Sequence, residues 1–354
     1  MIGLMIEFSP PDYHRVLPLV TSQNELSTLS VLAGNIPGKV FANDATRPTA
    51  ALIQSPECNM VAGDASDEVF CSDIAAHLDL WDSVTPDSPD WDAKIPPFHP
   101  NKFVRPFPGR RYLLTQADFR PDNAELPPGY VMHKITDLDS LQEAGLPNAD
   151  AILNWVSDWG AFANFTQRGA GYYIVSDDEI VSWSISDCCY RDRIAIGIKT
   201  AEEYRRQGLA RKAASATITE CFAKGYRTIE WLCVDSNTGS AAVAEQLGFR
   251  LNNKFDTYYS YLPTENPTDI PESEWNSWAQ YLDESAREEP RLLEESLYGY
   301  LRANNVAKAR EIIARLPDAG ITPDLTRYQR DIGYFQSLGL CSNFGPDWLA
   351  VNPK

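Results

Sequence analysis

No stretch of this chain approaches the run of about eighteen apolar residues that a membrane-spanning helix needs. The opening Met1-Ile-Gly-Leu-Met-Ile-Glu-Phe8 has no basic segment ahead of an apolar one, so neither export nor membrane insertion is expected. Histidine is scarce: four in 354 residues, too scattered to assemble a Ser/His/Asp triad or a metal cluster, and no metal is expected. Basic charge is short as well. With 31 Lys and Arg against 49 Asp and Glu, the formal net charge is −18, which argues against nucleic acid as a standing partner and suits a cationic amine. The seven cysteines, at 58, 71, 188, 189, 221, 233 and 341, are odd in number and show no C-x-x-C spacing. They read as reduced thiols of a cytoplasmic protein. Cys188 and Cys189 are neighbours on an extended segment, so they point to opposite faces and do not form a joint metal site.

What is present is a globular chain. Its 44% apolar residues can bury a sizeable core, and its length suggests two domains with an appendage. The most informative stretch is Ile194-Ala-Ile-Gly-Ile-Lys-Thr200, an apolar run of strand length. A polar turn then leads into an Ala-rich helix running from Leu209 to about Lys224. A helix opening this way presents unpaired N–H groups and the positive end of its dipole, which makes an anion site. Gly208 and Ala210 let a bulky anion approach the backbone closely.

Arg205-Arg206-Gln207-Gly208-Leu209-Ala210 fits Arg/Gln-x-x-Gly-x-Gly/Ala, and here the sequence resembles the GNAT family of acyl-CoA N-acyltransferases. Downstream, the strand-like Thr228-Ile-Glu-Trp-Leu-Cys-Val-Asp235 precedes Ser236-Asn237-Thr-Gly-Ser240, which leads into a short helix closing in Leu247-Gly248-Phe249. This resembles the family's second signature, Asn-x-x-Ser ahead of a helix ending in Leu-Gly-Phe. Gly248 suits a left-handed helix terminator. The resemblance implies a mixed α+β GNAT fold with splayed central strands and acetyl-CoA or a longer acyl-CoA as co-substrate. Its cofactor-binding residues would be Ile198, Lys199, Thr200, Arg205, Arg206, Gln207, Gly208, Leu209, Ala210, Arg211, Asn237 and Ser240.

Residues 1–125 are dense in Pro, Asp and Ser. Gly38–Asp44, Thr49–Gln54 and Asn59–Gly63 read as short strands, and Tyr13–Leu17, Leu26–Leu32 and Val69–Leu80 read as helical. This is a smaller α/β domain. Gly34-Asn-Ile-Pro-Gly38-Lys-Val-Phe and Ala62-Gly63-Asp64 resemble the N-terminal part of a bacterial GNAT subfamily that includes zwittermicin-resistance-type acetyltransferases. That resemblance implies a degenerate GNAT-like half without a cofactor. Pro86–Pro108 is a connector whose repeated prolines rule out helix. Residues 126–263 carry the GNAT order of elements: a strand Val131–Ile135, two helical stretches ending near Gly160, a hairpin 171–185, the strand before the phosphate loop, and a last strand Lys254–Leu262. Residues 264–354 are a helical appendage. Leu297–Tyr328 superficially resembles one pentatricopeptide repeat, but a single copy cannot form a solenoid. Packing on the catalytic part, a lid over the acceptor site and a homodimer contact stay open as its roles.

Acyl transfer to an amine requires a deprotonated nucleophile, a stabilised oxyanion and a proton for the departing thiolate. In related enzymes a carboxylate on the key strand and a Tyr in the helix after the Asn often serve as base and acid. This chain has Ala195 and Ala244 at those places. Asp187 and Asp192 flank the turn entering the key strand, and Tyr258 or Tyr259 lies on the last strand. Asp192 and Tyr258 are taken as the candidate catalytic pair. Two functions follow from the resemblance: an N-acyltransferase acting on an amine-bearing small molecule or peptide, or a degenerate CoA-binding or interaction protein.

Overall fold

A computed structural model describes residues 5–22, 24–143, 145–264 and 267–349. Two compact units are present, residues 1–259 and residues 260–354.

The first unit is built on twelve strands: β1 (Ile6–Phe8), β2 (Lys39–Ala42), β3 (Ala50–Gln54), β4 (Asn59–Gly63), β5 (Val84–Pro86), β6 (Arg105–Thr115), β7 (Val131–Lys134), β8 (Gly171–Ser176), β9 (Glu179–Tyr190), β10 (Arg193–Thr200), β11 (Thr228–Val234) and β12 (Arg250–Tyr259). They form one sheet in the order β1-β2-β3-β4-β5-β12-β6-β11-β10-β9-β8-β7. Its helices are α1 (Leu26–Leu32), α2 (Glu68–His77), α3 (Ile95–Phe98), α4 (Leu138–Glu143), α5 (Ala149–Ser157), α6 (Phe162–Arg168), α7 (Leu209–Ala223) and α8 (Thr238–Gln246). The mixed α+β class expected from the sequence is the one observed.

The elements follow from local chemistry. Every residue of α1 is buried, and Asn35 ties the turn after it to the Cys189 carbonyl at 2.9 Å. Leu26, Leu29 and Leu32 remove apolar surface worth roughly 2 kcal/mol each. This helix of the N-terminal part therefore shares one core with Ile152, Trp183, Ile185 and Ile194. Gly248 ends α8 at φ +99°, and an added Cβ there would strike the Asp118 carbonyl; Phe249 turns inward onto Trp231.

The proline-rich connector differs from its sequence reading. It contains α3, because Pro96 and Pro97 occupy the first helical turn, where an amide would have no intrahelical partner anyway. Its later part enters β6. Pro106 and Pro108 pair with Tyr258 and Asp256 of β12, just past the end of the β11 ladder at Gly109, where the Pro108 carbonyl still accepts the Asp235 amide at 2.7 Å. At the end of that ladder a proline loses only a donor, and its carbonyl can still accept. The helix Phe162–Arg168 is an addition to the two helical stretches read before the hairpin.

Residues 260–354 carry α9 (Glu272–Ser285), α10 (Leu292–Arg302), α11 (Val306–Arg315) and α12 (Leu325–Ser337). Here α9 and α10 pack closely because Gly299 has no side chain: a Cβ would lie 2.7 Å from that of Ala279. Ser296 donates to the Ala279 carbonyl at 2.9 Å across the same contact.

Three neighbouring strands of the first unit are tied by charge. Glu230 on β11 is fully buried and accepts from Arg111 on β6 at 2.8 Å and from Arg193 on β10. Replacing Glu230 with Ala removes the buried carboxylate that the two guanidinium groups share. The expected loss is about 3–5 kcal/mol of unfolding free energy, measured by denaturant titration; a loss under about 1 kcal/mol would show that the triad does not hold the strands.

Candidate active site

The pairing of β10 with β11 is parallel and short. It runs from Arg193↔Thr228 to Ala195↔Glu230 and then stops, although both strands continue. From Ile196 onward β10 pairs only with β9, and from Trp231 onward β11 pairs only with β6. A wedge-shaped gap therefore opens beyond the Glu230 triad, with unpaired main-chain groups along both walls. An extended, amide-bearing ligand can complete either ladder.

The end of β10 leads into the polar loop. Arg206 at φ +63° and Gly208 at φ +81° are both left-handed, and an added Cβ at Gly208 would meet nothing within 4 Å. A non-glycine residue held in that region is the kind of backbone strain found at ligand clamps. The ladder of α7 begins with the Lys212 amide bonding the Gly208 carbonyl at 3.2 Å. The amides of Leu209, Ala210 and Arg211 thus belong to the open first turn. The loop is braced from its flanks: Tyr130 donates to the Gln207 side chain at 2.8 Å, the Arg205 Nε reaches the Thr200 carbonyl at 3.3 Å, and Arg211 pairs with Asp122 at 2.7 Å. Ile198 and Thr200 are half-buried on the splayed half of β10, and Lys199 is exposed. Asn237 caps α8 by accepting the Ser240 amide at 3.0 Å, and the Ser240 hydroxyl accepts from Trp231 at 2.9 Å. These two residues fix the start of α8 against β11. The open first turn, the empty space at Gly208 and the unpaired strand walls fit the diphosphate and the amide-bearing arm of an acyl-CoA.

The other side of the gap is acidic. A β-bulge in β9, where Ala195 pairs with Cys188 but Ile196 pairs with Ser186, leaves Asp187 as the extra residue. Trp155 of α5 donates its indole N–H to the Asp187 carboxylate. Gly197 is the reason the indole fits: a Cβ there would lie 2.9 Å from Trp155 Cη2 and 3.6 Å from Asp187 Oδ1. Burial, and then the nearby Glu57 carboxylate, push the Asp187 carboxyl well above the ordinary range, against the opposing pull of the Trp155 hydrogen bond. Glu57, from the turn between β3 and β4, lines an open surface hollow of about 330 Å³ with Ala151, Asn154, Trp155 and Asp158. Partial loss of water and then Asp158 push Glu57 up to about 7. Glu25, just before α1, is 9% exposed, and burial followed by repulsion from Glu57 and Glu230 raises it to about 8.

The family model for GNAT acetyltransferases matches residues 17–258. The chain belongs to this GNAT acetyltransferase family. It is 27% identical over 242 residues to the protein called uncharacterized N-acetyltransferase YdfB of Bacillus subtilis (strain 168), covering 65% of this chain and 88% of that one. A GCN5-related N-acetyltransferase-like protein from Streptococcus suis 89/1591 superposes with a TM-score of 0.56 at 23% identity, over 70% of this chain and 98% of that one, a likeness of fold. GNAT members use acyl-CoA as co-substrate, and the chain is accordingly an N-acetyltransferase-type enzyme acting by acyl transfer.

Within this GNAT fold the residues singled out in the sequence are placed as follows. Ile198–Thr200 and Arg205–Arg211 line the gap and the loop beyond it, and Asn237 and Ser240 stand at the start of the helix following β11. Asp192 lies in the exposed turn before β10, its carbonyl accepting the Arg227 amide at 2.8 Å. That is about 16 Å along the strand from Gly197 at the usual rise of a β-strand. Tyr258 is buried on β12 and donates to the Asp92 carbonyl at 3.1 Å, within the cluster around Phe70, Trp91 and Ile95. Asp187, read in the sequence as flanking a turn, stands inside a strand at the gap. Trp155, Glu57, Asp158 and Glu25 carry no local motif; only their convergence in the fold marks them. Among the described residues no three acidic, His or Cys groups are close enough to hold one metal ion.

The raised Glu25 carboxyl makes stability depend on pH with a definite sign. The folded state keeps the proton up to about pH 8, whereas the unfolded chain loses it near 4.5, so the cost of folding at this site grows between those values and is constant above. Glu25→Gln, which mimics the protonated form, is expected to be neutral at pH 4 and stabilising by several kcal/mol at pH 9, on the order of 1.4 kcal/mol for each tenfold difference in proton affinity between the folded and unfolded chain. Thermal melts across that range check it; an equal effect at both ends would contradict it.

Proposed function

We propose that this enzyme moves an acetyl or longer acyl group from acyl-CoA to a primary amine of a small molecule or peptide, by direct attack in a ternary complex in the cytoplasm. The observation that carries the reading is the parting of β10 and β11 beside an open helix start, with an acidic cleft on the opposite side. Acyl-CoA supplies the activated acyl group when bound. The chain's own residues then do three things.

The amides of the loop and first turn, from Arg205 to Arg211, hold the diphosphate, with Arg205 and Arg206 adding positive charge at its rim. The edge of β10 along Ile198–Thr200 that β11 does not cover aligns the arm, so that the reacting carbonyl lies at the narrow end of the gap, near Gly197. Asn237 and Ser240 keep α8 seated and the β11 wall in place. Positioning of this kind supplies a large share of the rate.

Asp187 is the base. The family resemblance looks for a carboxylate at position 195, where this chain has Ala; the bulge in β9 delivers one from the paired strand instead. Its raised pKa suits a group that must take a proton from an ammonium near neutrality. Asp192 and Tyr258 keep the structural roles their surroundings give them.

Asp187→Asn is expected to lower kcat by about 10²–10³-fold while acetyl-CoA affinity stays within a few-fold. The native rate should fall as pH drops through a value above the ordinary carboxylate range, because the base must be ionised; the charged groups facing it are Glu57 and Asp158, with Trp155 as its donor. Steady-state thiol release from acetyl-CoA with an amine panel measures both. An Asn variant within threefold of the native rate would remove Asp187 from the mechanism.

A further inference from the structure

The narrow end of the gap bears on which acyl group the enzyme accepts. Straight beyond Gly197 the way is closed: Ala195 pairs with Glu230, whose carboxylate Arg111 and Arg193 hold from both neighbouring strands. Side chains alternate along β10, so Ile196 points to one face of the sheet and position 197 to the other. On the first face Ile196 is buried in one core with Ala214 and Ile218 of α7. An acyl chain that starts from a carbonyl beside Gly197 can therefore turn only to the second face, where glycine leaves the strand bare.

That face is covered by the indole of Trp155. A carbon added at Gly197 would sit 2.9 Å from Trp155 Cη2, whereas two unbonded carbons rest about 3.5–4.0 Å apart. Glycine at 197 makes room for the ring, and the ring uses all of it. The indole is also held at both ends. Its N–H is bonded to the carboxylate of the bulged Asp187. Its helix is anchored by Ile152 and Val156, which are buried beside it on α5. To move aside, the ring would have to give up its hydrogen bond or lift α5 from the core.

We infer that Trp155, seated over Gly197 and held there by Asp187, restricts the donor to an acetyl group by standing in the path a longer acyl chain would take. This rests on the acyl-transfer reading above and adds the specificity for the donor. The benzene edge of the indole, which carries Cη2, is the stop; the N–H on its other ring fixes where the stop lies. A two-carbon acyl group ends short of it. Further methylenes must displace the ring or draw the carbonyl back from Gly197, and one methylene too many in such a pocket is worth about 10–200-fold.

The test uses the full chain with acetyl-CoA, butyryl-CoA and hexanoyl-CoA, in calorimetric binding and in thiol release with an amine panel. Trp155→Phe removes the benzene edge but keeps an aromatic ring on α5, and Trp155→Ala opens the space fully; melting curves show which variants are folded. The native chain is expected to bind acetyl-CoA at least about tenfold more tightly than hexanoyl-CoA and to favour acetyl-CoA over butyryl-CoA by about 10²-fold in kcat/KM. In a folded variant the binding of butyryl- and hexanoyl-CoA should tighten by about tenfold or more, a gain that damage to packing alone would not give. Rates with acetyl-CoA fall in both variants because Asp187 loses its donor, so donor binding is the decisive readout. Native binding of all three thioesters within threefold overturns the inference and leaves acyl transfer intact. A folded Phe variant that still rejects the longer donors as the native chain does overturns it equally. The expected binding pattern without transfer to any amine upholds the stop and overturns the acyl-transfer reading; binding of none of the thioesters overturns both.

Discussion

Two parallel strands that pair for three residues and then part are the constraint on which the rest of this structure depends. Parallel strands left unpaired in the middle of a sheet expose main-chain donors and acceptors that folding normally satisfies. Here the separation is anchored by charge. Glu230, at the last paired position, is gripped from both neighbouring strands by Arg111 and Arg193, so the apex is pinned while the walls diverge. The gap is thus a fixed opening flanked by β9 on one side and β6 on the other.

The two sides of the opening carry opposite electrostatic characters. At its wide end the loop from Arg205 and the first turn of α7 present amides, a helix dipole and guanidinium groups, which favour a polyanion. At its narrow end the bulged Asp187 adds a carboxylate. A molecule with net charge −18 has no general attraction for the anionic co-substrate, so local main-chain geometry must supply it. The acidity of the chain favours cations instead. The bulge is the device that joins these sides: it brings a carboxylate to the gap although the key strand itself carries Ala195.

The parts legible in the sequence are those whose chemistry is contiguous. The apolar run Ile194–Thr200, the polar loop and the Ala-rich helix give strand, turn and helix by local pattern, and the observed β10 and α7 follow it within a residue or two. Leu26–Leu32, Ala50–Gln54 and Asn59–Gly63 are equally plain for the same reason. The connector misleads because proline breaks a helix only beyond its first turn, and Ile95–Phe98 is little more than that turn. Pairing across long separations leaves no trace in local pattern: nothing in Arg105–Thr115 announces that it lies between β11 and β12. The acidic cleft is hidden for a similar reason. A bulge has no residue signature, so Asp187 reads as a turn residue, and Glu57 reaches the site from a turn about 130 residues earlier in the chain.

The most direct measurement of the central claim is amide hydrogen exchange with and without CoA. The account predicts slowed exchange confined to the gap and its anion end: residues 196–200 of β10, residues 205–211 of the loop and first turn, and residues 231–234 of β11. Protection elsewhere, with these segments exchanging as they do in the free enzyme, would contradict it.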